Sequence, residues 1–330
     1  SLLGHNSLAI DAHADTFIDI RSIQDLAEVA RQFPDQDYLI LGGGSNLLLD
    51  QPVIQRPVLW INLRGIEILQ ENDDEVIVRA MAGENWHEFV LWCLKHDLGG
   101  LENLSLIPGS VGAAPIQNIG AYGVEVRDVL QQVEVFNLSD GNARVFSTDE
   151  CQLSYRDSIF KHPPPGSQWV ITAVAFRLTR KRHQLKLDYG AIQQTLEAAG
   201  ITQPTIRDVS EAVIQIRRQR LPDPAETPNA GSFFKNPVVA RQDYRQLLAT
   251  HPDMPGYDLP GDQVKIPAAW LIEQCGWKGK RLEHCGVHAQ HALVLINHDH
   301  ASAAELLDLA RQIQLSVRQR FGLLLAPEVN

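Results

Sequence analysis

The chain is short of positive charge, of sulfur and of long apolar runs, and each shortage removes a class of function. Its 29 lysines and arginines stand against 40 aspartates and glutamates, a formal net charge of −11. That balance excludes nucleic acid or an anionic membrane surface as the main partner, so an anionic substrate must be met by a local basic cluster. Cys93, Cys151, Cys275 and Cys285 show no C-x-x-C spacing. Neither a zinc site nor a disulfide framework is signalled; no metal is expected, and a reduced cytoplasmic setting fits. No apolar run approaches the roughly 18 residues of a spanning helix. The N-terminal segment, with His5, Asp11 and Asp15, has no basic stretch leading an apolar one, so no signal for entering or crossing a membrane is present. The start at Ser1 in place of Met reads as a trimmed or processed end. Two nucleotide fingerprints are missing as well. Gly42-x-Gly44 has Leu47 where a dinucleotide-binding turn needs its third glycine, and no glycine run supplies the lysine of a P-loop, which excludes the usual ATP or GTP hydrolysis site.

What is present is an ordinary globular composition: 330 residues, 44% hydrophobic and 21% charged, enough for two or three domains. Two glycine-rich runs stand out, Gly42-Gly43-Gly44-Ser45-Asn46 and Ile107 to Gly123, the latter reading IPGSVGAAPIQNIGAYG. Glycine admits positive φ and lets a ligand approach the peptide plane, so successive N–H groups can converge on phosphate oxygens. No Lys or Arg lies between Lys95 and Arg127. A phosphate held by the second run would therefore rely on backbone amides, Ser110 and the carboxamides of Gln117 and Asn118. That suits a permanently held cofactor better than a transferred phosphoryl group.

Periodicity and turn signals predict an α+β chain. Residues 16–61 read as a βαβ-like lobe: strand Thr16 to Ile20, a helix capped by Ser22, strand Tyr38 to Leu41, the glycine loop, and strand Val58 to Ile61. Strands dominate from 66 to 178 (66–70, 75–81, 132–138, 143–146 and 169–178), with Asp140-Gly141 as a hairpin turn. One helix interrupts them after Asn85, with Trp86, Phe89, Val90, Cys93 and Leu94 on one face. The run Pro163 to Gly166 marks a surface loop. An amphipathic helix over 208–220 ends at Leu221-Pro222-Asp223-Pro224. Helices at 240–250, 268–275 and 303–321 follow, with strands at 292–297 and 323–329.

Three polar constellations remain: Ser154-Tyr155-Arg156-Asp157-Ser158; Asn229-Ala230-Gly231-Ser232-Phe233-Phe234-Lys235-Asn236-Pro237, which is not a G-x-S-x-G nucleophile elbow; and Pro327-Glu328-Val329. Taken singly, an Arg–Asp pair fixing a loop, a serine capping a turn and a solvated terminal carboxylate account for them. Taken in order, GGGSNLLL, GLENLSLIPGSVGAAPIQNIGAYG, YRDSIFK, NAGSFFKNP, HALVLIN and PEV closely resemble the UDP-N-acetylenolpyruvoylglucosamine reductase family over nearly the whole chain.

The resemblance implies a vanillyl-alcohol-oxidase (PCMH) type FAD-binding module of two α+β lobes, residues 1–62 and 63–200, and a C-terminal α+β substrate lobe, 201–330. It implies FAD as cofactor, NADPH as reductant, a nucleotide-sugar substrate of cell-wall precursor synthesis, and a cytoplasmic monomer. The cofactor-binding set is Gly42, Gly43, Gly44, Ser45 and Asn46 with Ile107, Pro108, Gly109, Ser110, Gly112, Ala113, Gln117, Asn118, Gly120, Ala121, Tyr122 and Gly123. Arg156 and Glu328 match family residues that stabilise an enolate formed when hydride reaches the enolpyruvyl β-carbon. Beside that anion the glutamate helps only when protonated or paired. Ser232 matches the proton donor to the α-carbon.

For substrate binding, Tyr189 matches a mobile tyrosine of one family subtype, and Lys235 and Asn236 fall inside the matched motif. Arg220 stands where the family often has lysine; Arg binds phosphate bidentately where Lys acts as a point charge. His291 stands where glutamine is usual. At the N-terminus Asn6-Ser7-Leu8-Ala9-Ile10 replaces the usual N-T-F-G-I, which weakens the expectation that this segment packs in the family way. Two other readings stay open: a flavoprotein of the same module acting on another substrate, and a non-catalytic nucleotide-sugar binding protein.

Overall fold

The computed structural model of the chain describes residues 1–34 and 36–330. The chain forms two compact units: Ala14–Gly43 with Ile54–Gln219, and Ser1–His13 with Gly44–Val53 and Arg220–Asn330. The first glycine run is thus divided, Gly42 and Gly43 in one unit and Gly44, Ser45 and Asn46 in the other.

In the unit of 14–43 and 54–219, strands Phe17–Ile20, Val58–Ile61 and Leu39–Leu41 pair in parallel, with Phe17 and Leu39 both opposite Val58. The crossover is helix α1, Ile23–Gln32, whose first turn carries a capping box: Ser22 Oγ accepts from Asp25 N–H while Asp25 accepts from the Ser22 N–H. A five-stranded antiparallel sheet follows, in the order Ala143–Ser147, Leu130–Asn137, Trp169–Thr179, Glu75–Met81 and Ile66–Glu71. Its alternation is plain in Glu75–Met81, where Val76, Val78 and Ala80 are buried and the residues between them are not.

Against this sheet lies helix α2, Trp86–Lys95, capped by Asn85. The rings of Trp86, Phe89 and Phe176 meet at centroid distances of 5.1 to 6.1 Å. Each such buried side chain contributes on the order of 1.5–3 kcal/mol by leaving water. Trp86 keeps its polar end satisfied by donating to the Leu104 carbonyl at 2.9 Å, and this ties α2 to the turn that leads into the second glycine run. Helices α3, Gly190–Ala198, and α4, Ile206–Arg220, share a smaller core of Ile192, Leu196, Val209, Ala212, Val213 and Ile216.

The other unit holds two three-stranded antiparallel sheets. One orders Asn229–Ser232, Val294–Asn297 and Cys285–Val287; the other orders Val238–Ala240, Gln263–Lys265 and Tyr257–Leu259. Helices α5, Arg241–Thr250, α6, Ala268–Gln274, and α7, Ala303–Phe321, complete it. The buried face of α7, Leu306, Leu309, Ile313 and Val317 among others, packs on strand Cys285–Val287 and on α6.

Two expectations are corrected. Residues 323–329 are not a strand: a single bridge joins Pro327 to Phe234, flanked by the bonds from Glu328 N–H to the Phe233 carbonyl and from Lys235 N–H to the Ala326 carbonyl. Helix α3 was not expected, since its first residue is Gly190 and its N-cap Tyr189 offers no side-chain bond. Among the described residues no helix is long and apolar enough to cross a membrane, and no group of three His, Cys, Asp or Glu side chains is arranged to hold a metal ion.

Candidate active site

Within the first unit the two glycine runs meet. A Cβ on Gly42 would lie 2.6 Å from Ser110 Oγ, and one on Gly43 would lie 2.8 Å from Gly109 Cα. Side chains at either position would force the runs apart, so glycine here serves close approach of two backbones. Among the described residues the N–H groups of Gly43, Gly109 and Ser110 donate to nothing in the fold. They form an amide-lined cradle whose two runs contain no Lys or Arg, the surface expected of a diphosphate nest. Gly112 and Ala113 sit in a 3-10 turn, Val111–Ala113. Gly120 and Ala121 pair with Val124 and Glu125 in a tight hairpin whose tip is Tyr122-Gly123.

The Asn118 side chain serves the fold. It is fully buried, accepts from Arg127 N–H at 3.0 Å, and donates to Glu125 Oε2 at 2.9 Å and to the Ser154 carbonyl at 3.1 Å. Its carboxamide holds the Arg156 loop against the second glycine run. Arg156, at φ 56°, then donates through Nη2 to the Gly120 carbonyl at 2.8 Å. The Asp157 carboxylate faces His162 Nε2 at 2.9 Å.

Tyr189 is half exposed, and its ring meets Tyr122 edge-on at 5.3 Å. Beside Tyr122 lies a residue to which the sequence reading gave no site role. Arg217 shows its guanidinium to the Tyr122 hydroxyl and donates through Nε to the Leu106 carbonyl at 3.2 Å. Desolvation holds its pKa below the ordinary guanidinium value. A signal existed: Arg217 follows the buried Val213 by four residues and so shares its face. His87 accepts from the Leu106 N–H at 3.0 Å, and burial, with Arg218 and Arg217 nearby, keeps its pKa low and its ring neutral. Leu106, at φ 58°, is thereby held by both its peptide groups at the entrance to the second run.

In the second unit, Ser232 and Glu328 are brought together. Glu328 N–H donates to the Phe233 carbonyl at 2.8 Å, and Lys235 N–H to the Ala326 carbonyl at 2.9 Å. Gly231 takes φ 69°, and its N–H is held by Asn229 Oδ1 at 2.8 Å. The other half of the first glycine run braces the same corner: Asn46 Nδ2 donates to the Glu328 carbonyl at 3.1 Å.

The N-terminal arm packs tightly despite its altered motif. Ser7 N–H donates to the Gly44 carbonyl at 3.0 Å, Asn229 N–H to the Ser7 carbonyl at 2.9 Å, and Leu8 is fully buried. Gly44, at φ 62°, leaves no room for a Cβ beside the His5 carbonyl. Asn236 Oδ1 accepts from Ala268 N–H at 2.8 Å at the start of α6. Arg220 is exposed, and Lys235 and His291 are half-buried.

The cradle suits the diphosphate of a permanently held cofactor: side-chain-free backbone approaches, unpaired amides, and no lysine of the kind a phosphoryl-transfer loop carries. A family model described as FAD binding domain matches residues 14–147, and one described as UDP-N-acetylenolpyruvoylglucosamine reductase, C-terminal domain, matches 223–330. The fold is accordingly α+β, a vanillyl-alcohol-oxidase type FAD-binding module with a C-terminal α+β lobe. A UDP-N-acetylenolpyruvoylglucosamine reductase of Pseudomonas syringae pv. tomato is 48% identical over all of this chain and 97% of its own length. One of Flavobacterium johnsoniae is 44% identical over the same shares. The crystal structure of such a reductase from Thermus caldophilus superposes with a TM-score of 0.68 at 24% identity, covering 100% of this chain and 96% of that one, a likeness of fold. The chain belongs to the UDP-N-acetylenolpyruvoylglucosamine reductase family.

Proposed function

We propose that the chain reduces the enolpyruvyl group of UDP-N-acetylglucosamine enolpyruvate to give UDP-N-acetylmuramate, using NADPH and FAD, in peptidoglycan precursor synthesis. The observation that carries this reading is full-length family membership joined to an amide-lined cradle whose two runs contain no Lys or Arg. Bound FAD would supply the two-electron chemistry that links NADPH to the enolpyruvyl double bond. Gly43, Gly109 and Ser110 would hold its diphosphate through backbone N–H groups, with Gly42 leaving room for their approach.

Addition at the β-carbon drives negative charge toward the substrate carboxylate. In our reading Arg156, already oriented by Gly120, supplies the cation there, and Glu328 supplies a hydrogen bond. Preorganised groups of this kind are worth about 3–4 kcal/mol where one has been removed. Ser232 gives its proton to the α-carbon. Tyr189, Arg220, Lys235, Asn236 and His291 bind the nucleotide sugar. Asn236 supports this role through its Nδ2 group, which has no partner among the described residues. The lobes 1–62, 63–200 and 201–330, a monomeric state and a cytoplasmic location belong to the same proposal.

The deciding experiment reduces the FAD-loaded enzyme anaerobically with NADPH and then adds the enolpyruvyl sugar. Bleaching of the flavin followed by recovery of its absorbance on sugar addition is expected. Recovery with oxygen alone, and none with the sugar, would refute the substrate assignment.

A further inference from the structure

The motif Glu102-Asn103-Leu104-Ser105 is more polar than its surroundings warrant and has no part in the function above. Its residues are almost wholly buried: Glu102 is 3% exposed, Asn103 1% and Ser105 0%. Glu102 accepts from the Gly100 N–H at 2.6 Å, and Ser105 Oγ meets Ser210 Oγ on α4 at 2.7 Å. Those contacts close the turn on itself and on α4. Asn103 does something different. Its Nδ2 group donates to the Tyr122 carbonyl and to the Lys186 carbonyl, both at 2.9 Å. Both partners can only accept, so the orientation of the carboxamide is set by chemistry. Its Oδ1 atom is buried without a partner, a cost the fold carries for the sake of the two donors.

The two carbonyls belong to the two segments that present the tyrosine pair. Tyr122 is held at φ 51°, a strained value for an aromatic residue, at the tip of the second glycine run. Lys186 lies three residues before Tyr189, in a stretch of irregular backbone that packs on the cores through Leu185 and Leu187. One side chain therefore bridges the two segments that carry the edge-on pair of Tyr122 and Tyr189.

We infer that Asn103 is the positioning residue of the tyrosine loop, holding Tyr189 at the height above the cofactor run from which it meets the nucleotide sugar. This rests on the reading of Tyr189 as a substrate contact.

The test uses the FAD-loaded full chain. Lys181, Arg182 and Lys186 are exposed and report loop release as trypsin cleavage. Asn103→Ala removes both donors, so cleavage there should quicken by about 5- to 30-fold. KM for the enolpyruvyl sugar should rise by a similar factor, while kcat changes less than about two-fold. In a Tyr189→Ala background the same substitution should add nothing to KM. Asn103→Leu keeps the approximate shape of the side chain and deletes both donors, and replaces the alanine variant if that one fails to retain flavin. Cleavage at the wild-type rate in a flavin-loaded variant would overturn the inference. Faster cleavage with an unchanged KM would keep Asn103 as the anchor of the loop but overturn the role of Tyr189.

Discussion

Ser232 shows how much a single side chain can be asked to do and how cleanly that can be tested. As the proton donor it acts after electron transfer from NADPH, so Ser232→Ala should leave flavin reduction intact. It should slow flavin reoxidation by the enolpyruvyl sugar by about 10²- to 10⁴-fold, read by stopped-flow absorbance in the two half-reactions. Equal damage to both would remove the role. Gly43 makes the opposite point, since its importance lies in having no side chain. A methyl group there would meet Gly109 Cα at 2.8 Å, and overpacking of this sort costs about 1–3 kcal/mol. Gly43→Ala should therefore weaken FAD binding by roughly five-fold or more, measured by titrating the apoprotein and following flavin fluorescence. Arg217 was hidden at this scale. In the run Arg217-Arg218-Gln219-Arg220 the three arginines look alike, and the four-residue step from Val213 is what marks the first as facing inward.

Among the elements, α7 carries the clearest pH dependence. Ser302 and Glu305 form its capping box, and His284 Nδ1 meets Glu305 Oε1 at 2.6 Å. The hydrogen bond to His284, with those from Ser302, holds the Glu305 pKa down to about 2, and the same bond raises His284 above its usual 6.5. A depressed carboxylate contributes stability above its unfolded pKa near 4.5 that is lost as pH falls toward 2. A raised histidine contributes stability below 6.5 that is lost as pH climbs through its folded value. The melting temperature should peak between those limits. His284→Gln should flatten the alkaline limb and shrink the acid one, leaving the part that the Ser302 bonds to Glu305 supply. An unchanged alkaline limb in that variant would show that the pair does not govern it.

Element boundaries were legible wherever a local interaction sets them. Ser22, Asn85 and Ser302 cap their helices through bonds to residues three positions on, and such signals survive in sequence. Helix α3 lacks that signal. It forms because Ile192 and Leu196 bury against α4, a partnership no window of sequence displays. Leu323–Val329 reads as an apolar strand, yet only Pro327 bridges, since a ladder depends on which chain lies alongside.

For the whole molecule, cofactor and stability are linked. FAD that binds only the folded chain should stabilise it by about 2.7 kcal/mol at a hundred times its Kd. The melting temperature should then climb steadily with added FAD, and a flat response would contradict binding to the native state. Size-exclusion chromatography with light scattering should return the mass of one chain; a stable dimer would overturn the monomeric proposal.

By itself the sequence determined which residues are bare enough to expose backbone, which helices begin where, and the family, because glycine content, caps and ordered motifs are local or linear properties. Only the tertiary structure decided that Gly43 meets Gly109, that Asn118 spends its carboxamide on the Arg156 loop, that Glu328 lies beside Phe233, and that Arg217 meets Tyr122. Each of these joins segments far apart in the chain, and the hydrogen bonds and exclusion of water that define them exist only once the fold has brought those segments into contact.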